Sequence, residues 1–360
     1  MKERALVIFS SLPEVGGHTT TTLKLCELLR PMFSDIRVLI KDIPGHGFSP
    51  SASDELLRMG VRATRCPGRN PRDWCRLLGG RGKPDVFLAI GMRHLSPVLA
   101  LLLGARQSFY YHITHELSPS VLRQLRIYGA VFSKLVFISP ATAQRYQGPA
   151  REPAVWALQP TEFSLRPGLP IPRSPGVARF GFLGRMTGEK GIGLLADLIE
   201  KNPLPCELHI AGRGPQEEAM RHRQAKHPDR FFLHGAFTAG ERTAFLSRFF
   251  SGIDWLCVPS LDDREGIPNV ILEALQFGVP VLATRSGGVR SFVMDELGPA
   301  APDVIRLIEP RELSGALSSL LATPPPTPAL RKRCREYFER FFSDAVLAAR
   351  WRSILTIPAG

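Results

Sequence analysis

Two glutamates eight positions apart, Glu265 and Glu273, stand at the mouth and in the middle of a short apolar stretch, EGIPNVILEALQFGVPVLA (265–283). Pro268 in the first turn followed by Asn269 starts a helix, and Gly278 and Pro280 end it. Val270, Ile271, Ala274, Leu275 and Phe277 supply a packing face, which places Glu273 at the edge of that face, within reach of a ligand. A carboxylate there can accept two hydroxyl hydrogen bonds, as a ribose diol would offer. Backbone amides of the Gly266–Ile267–Pro268–Asn269 entry point towards a phosphate or sugar, and Glu265 sits closer to whatever group is transferred. The plainer alternative is a core helix with both acids in water, and it leaves Gly266 without an explanation.

A second stretch, FGFLGRMTGEKGIGLLADLIE (180–200), brings cations to a helix start. A strand ends at Gly184, Arg185 and Lys190 flank a turn containing Gly188, and Gly191 opens the next helix. Unpaired amides and the positive end of a helix dipole make such a turn an anion site. Each cation about 4 Å from a phosphate oxygen contributes on the order of 4 kcal/mol at an effective dielectric of 20, before desolvation. A diphosphate can therefore be neutralised without metal. Standing alone, this stretch reads better as a surface turn with two solvated cations. Asp262 and Asp263 lack the spacing of a metal-binding pair and are expected at the surface. GRGPQEE (212–218) lacks the full dinucleotide fingerprint, so no nicotinamide cofactor is expected, and no metal or other cofactor.

These residues need a frame that aims them together. The chain has 360 residues, enough for two cores. In both halves, short β-branched or aromatic runs alternate with amphipathic stretches, the pattern of parallel sheets covered by helices on both faces. The expected strands are 5–11, 36–40, 61–64, 85–90, 108–114 and 134–139, then 178–184, 206–212, 230–235, 254–260, 279–284 and 304–309. The linker LRPGLPIPRSPGV (165–177) can continue neither helix nor central strand. A domain is therefore expected over 1–168, joined by a cross-over helix at 343–360 after a break near Phe342–Ser343, and a second over 177–342. The fold class is α/β: two doubly wound Rossmann-like domains facing a central cleft, where ligands bind beyond the carboxyl ends of the strands.

Composition limits the rest. LSPVLALLLGA (95–105) is about half the length of a spanning segment and reads as a buried helix. The six cysteines show no metal spacing and are expected as free thiols in a reducing compartment. The net charge of +13 is uneven: residues 1–172 hold 22 basic against 12 acidic residues, a net of +10, and residues 173–360 hold 24 against 21, a net of +3. Such an excess suits an anionic partner, with Arg58, Arg62, Arg65, Arg69, Arg72 and Arg76 as its candidate surface. The same six arginines, spaced as they are, equally suit a solvated face.

EGIPNVILEALQFGVPVLAT resembles the E-x7-E signature of the retaining glycosyltransferases of family 4, which have the GT-B fold. GRMTGEKG (184–191) resembles that family's G-R-x-x-x-x-K-G segment, IAGRGP (210–215) its glycine turn, and LIEPRELSGALSSLLATP (307–324) its last strand and helix. The resemblance is strong over 178–345 and weaker before 165. It implies that Arg185 and Lys190 contact the diphosphate of a nucleotide sugar, Glu273 the ribose, and Glu265 the donor sugar near its anomeric centre. In VIFSSLPEVGGHT (7–19), Gly16 and Gly17 match the glycine pair before the first helix and would admit phosphate and acceptor. FYYHITHE (109–116) resembles the strand carrying the sugar-contacting histidine, for which His115 comes first and His112 second. Glu116 stands where Asp is commoner, and Ser291 in SGGVRSF (286–292) stands where the family usually has Glu.

The implied enzyme transfers a sugar with retention, without metal, to a glycan or lipid-linked acceptor in bacterial cell-surface polysaccharide assembly. It would work in the cytoplasm, peripherally at the inner membrane face, with no nucleic-acid partner. Two rivals remain: a nucleotide-sugar epimerase or glycan phosphorylase on the same fold, the latter requiring a lysine-bound pyridoxal phosphate, and a basic nucleic-acid-binding protein, for which aromatic RNA-binding motifs are missing.

Overall fold

The computed structural model describes residues 4–13, 17–41, 48–66, 82–91, 95–114, 117–151, 155–156, 176–202, 205–237, 241–261, 268–286, 289 and 303–355. The chain divides into two compact units, Met1–Glu162 with Asp344–Gly360, and Phe163–Ser343. Each carries a parallel sheet with the helices that join its strands.

In the first unit the strands are β1 (Ala5–Ser10), β2 (Asp35–Ile40), β3 (Arg62–Arg65), β4 (Val86–Ile90), β5 (Gln107–His112), β6 (Lys134–Phe137) and β7 (Val155–Trp156). They pair in the order β3-β2-β1-β4-β5-β6-β7. The helices are α1 (Gly17–Leu29), α2 (Pro50–Arg58), α3 (Ser96–Leu103), α4 (Pro119–Val131), α5 (Pro140–Arg145) and, from the end of the chain, α12 (Asp344–Ile354). Successive strand residues point to opposite faces. Leu6, Ile8, Val38, Ile40, Leu88 and Tyr111 therefore meet one set of helices, while Val7, Phe9, Leu39, Phe87 and Tyr110 meet the other. Both faces are apolar, which is why the central strands β1, β4 and β5 are buried along almost their whole length.

α12 belongs to this core. Trp351 is fully buried and meets Tyr111 edge-on at 5.1 Å, with Ile354 and Leu355 beside it. The Lys24 ammonium on α1, 4 % exposed, reaches Asp344 at 2.7 Å and Glu27 at 3.0 Å. Apolar burial positions α12, and the ion pair sets where it begins.

The second unit holds β8 (Ala178–Leu183), β9 (Cys206–Ala211), β10 (Phe231–Gly235), β11 (Trp255–Val258), β12 (Val281–Thr284) and β13 (Ile305–Ile308), in the order β10-β9-β8-β11-β12-β13. Its helices are α6 (Ile192–Lys201), α7 (Glu217–Lys226), α8 (Arg242–Ser251), α9 (Asn269–Gln276), α10 (Leu313–Leu321) and α11 (Pro328–Phe342). Phe180, Phe182, Leu208, Ile210, Cys257 and Leu282 form a core with α6 and α10. The order runs outward from β8 in one direction and from β11 in the other. The crevice beyond the carboxyl ends of two such strands is where open α/β sheets bind ligands.

One expectation is corrected. The apolar segment at 95–105 does form a helix, α3, but Val98, Leu101 and Leu102 on it are 51 %, 66 % and 63 % exposed. β7, only two residues long, carries too little periodicity to be read from sequence. Of the arginines of 58–76, Arg58, Arg62 and Arg65 are exposed, with Arg62 also pairing with Asp35 at 2.5 Å and Arg65 lying over the Phe48 ring at 4.7 Å. Arg69, Arg72 and Arg76 lie outside the described residues, as does the linker up to 175. Cys26, Cys206, Cys257 and Cys334 are buried free thiols, whereas Cys66 is only partly covered. Among the described residues no helix is long and apolar enough to cross a membrane.

Candidate active site

After β8 the chain runs through Gly184, Arg185, Met186 and Thr187 into a single 3-10 turn, Gly188–Lys190, and then into α6. Gly191, at φ +71°, makes the junction. That conformation suits glycine, and a Cβ there would come within 2.0 Å of the Pro259 carbonyl oxygen at the end of β11. Absence of a side chain thus lets the two exits touch. The Glu189 carbonyl accepts the Leu261 N–H at 2.7 Å and the Ser260 hydroxyl at 3.3 Å. The Thr284 hydroxyl, at the end of β12, donates to the Ser260 carbonyl at 2.5 Å.

The glycine turn after β9 closes the other side. A Cβ on Gly212, at φ +130°, would lie 1.9 Å from the Gly184 carbonyl oxygen. Met186 N–H donates to the Arg213 carbonyl at 2.8 Å, and Gln216 N–H to the Met186 carbonyl at 3.0 Å. The exits of β8, β9, β11 and β12 are therefore tied into one platform at the carboxyl end of the sheet.

Charge on the platform is exposed. The Arg185 side chain is 63 % exposed and approaches Glu189 at 3.6 Å. Hydrogen bonds from its own backbone N–H and from the Thr187 hydroxyl hold the Glu189 carboxyl below the usual carboxylate range, with Arg185 and Lys190 adding to the effect. The turn therefore combines two cations with one acid.

Glu273 is different. Pro268 caps α9 in an extended conformation, Asn269 is its first residue, and Glu273 lies in the second turn. Its side chain is only 6 % exposed and forms an ion pair with Arg242, itself 13 % exposed, from the first turn of α8. The expectation of an edge position is corrected: α9 buries Ile271, Leu272, Glu273, Ala274 and Leu275, while Val270 is only half-buried. A guanidinium from another helix makes this possible, because a buried carboxylate needs a charged or hydrogen-bonding partner. A cation in a first helical turn is opposed by the helix dipole by about 0.3–1 kcal/mol, and pairing with Glu273 offsets that opposition.

His112 ends β5 as a buried core residue, 3 % exposed. Its Nε2 is 3.2 Å from the Thr114 hydroxyl, and its ring meets Phe137 edge-on at 5.8 Å. Gly17 opens α1. Glu265, Gly266, Ile267, His115 and Gly16, together with Asp262, Asp263, Glu116 and Ser291, lie outside the described residues.

Residues 178–323 match the family Glycosyl transferases group 1. The GDP-mannose-dependent alpha-mannosyltransferase of Mycolicibacterium smegmatis is 25 % identical over 337 residues, 80 % of this chain and 81 % of that protein. The chain is a glycosyltransferase. The residues that match that family lie in the second unit, the one that carries the platform. The glycogen synthase of Exiguobacterium sibiricum is 28 % identical over 133 residues, 36 % of this chain but only 26 % of that longer protein. In fold, this glycosyltransferase superposes on Anabaena Alr3699/HepE, solved with UDP-glucose, with a TM-score of 0.73 at 14 % identity, over 98 % of this chain and 99 % of that one. Two Rossmann-like α/β units of GT-B type are thereby established.

In the second unit, sequence reasoning singled out Arg185, Lys190 and Glu273 and passed over Arg242, the ion-pair partner of Glu273. Nothing in TAGERTAFL (238–246) marks that arginine, since its partner lies 31 residues ahead on another helix. Thr187 was also missed, and the signal for it was available: a hydroxyl two residues before an acid in a tight turn is a common local hydrogen-bond donor.

Proposed function

We propose that the second unit binds a nucleotide-diphosphate sugar at its β8/β11 switch point and that the chain transfers the sugar with retention of anomeric configuration. The observation that carries this reading is the hydrogen-bonded platform joining the β8 exit, with Arg185 and Lys190, to the β11 exit that leads into α9. The sugar nucleotides named for the mannosyltransferase and for HepE support the donor class.

In this reading Arg185, Lys190 and the amides opening α6 hold the diphosphate and stabilise the charge that grows on it as the sugar departs, which is where preorganised dipoles help most. No metal is required for that step. Glu273, held by Arg242, accepts hydrogen bonds from the ribose hydroxyls. Glu265 and His115 contact the donor sugar, and Gly266, Ile267, Pro268 and Asn269 supply the helix entry around it. The acceptor hydroxyl bonds to the anomeric carbon on the face the diphosphate leaves, the bond from that carbon to phosphate oxygen breaks, and the departing phosphate oxygen takes the hydroxyl proton. Gly16 and Gly17 let the acceptor approach. The acceptor is a glycan or lipid-linked glycan of a bacterial cell surface, reached at the inner face of the membrane. The basic excess of the first unit's half of the chain supports an anionic acceptor or anionic surroundings.

Thermal-shift measurements with UDP-, GDP- and ADP-sugars test this. A donor at about a hundred times its Kd stabilises the fold by about 2.7 kcal/mol, and Arg185→Ala with Lys190→Ala abolishes the shift without lowering the unliganded midpoint. A chain that none of the donors stabilises ends the proposal.

A further inference from the structure

Four of the most exposed large apolar side chains lie on two neighbouring helices of the first unit. Val98, Leu101 and Leu102, spaced i, i+3 and i+4, form the outward stripe of α3, while its inward stripe, Ser96, Leu99 and Ala100, is buried. α4 packs beside α3 and exposes Ile127, 59 % accessible, in line with exposed Arg123 and Arg126. Neither helix contains an acidic residue. Lys83 adds a further exposed cation at the carboxyl end of α3, its ammonium 3.6 Å from where a Cβ on Gly104 would stand. Surface leucines are ordinary when scattered singly, but an apolar stripe next to clustered cations is not scattered.

We propose that the outer face of α3 and α4 is a membrane-docking surface, with Val98, Leu101, Leu102 and Ile127 entering the headgroup–acyl boundary and Lys83, Arg123 and Arg126 engaging anionic lipid headgroups. Charge decides the occupant. A second copy of the same face would set cations against cations, whereas an anionic bilayer satisfies both halves of the patch. This rests on the reading of a lipid-linked acceptor, because docking keeps the enzyme where such an acceptor is found.

Co-sedimentation of the full chain with phosphatidylcholine vesicles, with and without phosphatidylglycerol, tests the surface. The wild type is expected to pellet with the anionic vesicles only, and less as salt rises. Leu101→Ser with Leu102→Ser is expected to weaken binding about tenfold, and Arg123→Gln with Arg126→Gln to remove its dependence on phosphatidylglycerol. The wild type and both double variants should keep the same thermal shift with nucleotide sugar, so loss of that shift in the wild type would count against the donor reading and not against this surface. Vesicle binding that is absent in the wild type, or untouched by both pairs, overturns the proposal. So does a concentration-dependent dimer in sedimentation velocity that Leu101→Ser with Leu102→Ser disperses.

Discussion

Two arginine–glutamate pairs stand near the carboxyl end of the second sheet, and they are built oppositely. Arg185 and Glu189 lie 3.6 Å apart on one exposed turn, 63 % and 39 % accessible. Arg242 and Glu273 join two different helices, 13 % and 6 % accessible. In water an ion pair contributes about 0–1 kcal/mol and its members can exchange partners readily. In the interior, loss of one member strands a charge. The difference teaches that a charge on a solvated turn can change partners at little cost, while a charge that must hold one geometry is locked between helices.

The largest expected effect breaks that comparison on its buried side. Arg242→Ala should lower unfolding free energy by about 3–5 kcal/mol in urea titrations, and Arg242→Met combined with Glu273→Met should restore much of it. Arg185→Ala should change stability by less than about 1 kcal/mol.

Ligand binding should reverse the ranking. Arg185→Ala is expected to weaken nucleotide-sugar binding by about 1.5–3 kcal/mol in calorimetry, the range of a charge-assisted hydrogen bond. Glu273→Ala should weaken donor binding, whereas Glu265→Ala should lower turnover more than affinity. Wild-type behaviour in both would remove the assignment of the glutamate pair.

A smaller effect comes from a third charged cluster, away from the platform. His209 on β9 lies 3.0 Å from His234 on β10 and 3.0 Å from Glu207, which pairs with Arg179 at 2.9 Å. Partial burial, with His209 and Arg248 nearby, pushes the His234 imidazole down to about 4, and burial also lowers His209. The fold thus keeps His234 neutral, while the unfolded chain takes up a proton near pH 6.5. Stability should be undiminished above about pH 6.5 and fall as pH drops towards about 4. His234→Gln should flatten the thermal midpoint across that window. The smallest effect is expected for Glu27→Ala, about 0–1 kcal/mol, because the half-exposed carboxylate shares the Lys24 ammonium with Asp344.

Much of the frame was legible. Each expected strand overlaps one in the structure within a few residues; central strands such as β1, β4 and β8 are legible because both their faces are buried and they read as apolar runs between turn residues, whereas the edge strand β3, RATR, is exposed at both ends. The GRMTGEKG turn was legible for a local reason: its cations, glycines and helix start are consecutive. Glu273 was legible as special but not in its surroundings. Helical periodicity places a carboxylate outward by default, and only the tertiary approach of α8 reverses this. α3 failed in the other direction: its leucines satisfy the pattern of a buried helix, and nothing local says that one stripe stays uncovered.

The docking of α12 through Trp351 onto the first sheet has a consequence for the order of synthesis. Ribosomes deliver chains from the amino end, and domains generally fold as units in that order. Here the amino-terminal unit cannot close its core until residues 344–355 have emerged. The unit translated first is therefore completed last, and a chain released after Ser343 would hold every residue of the second unit but lack part of the core of the first.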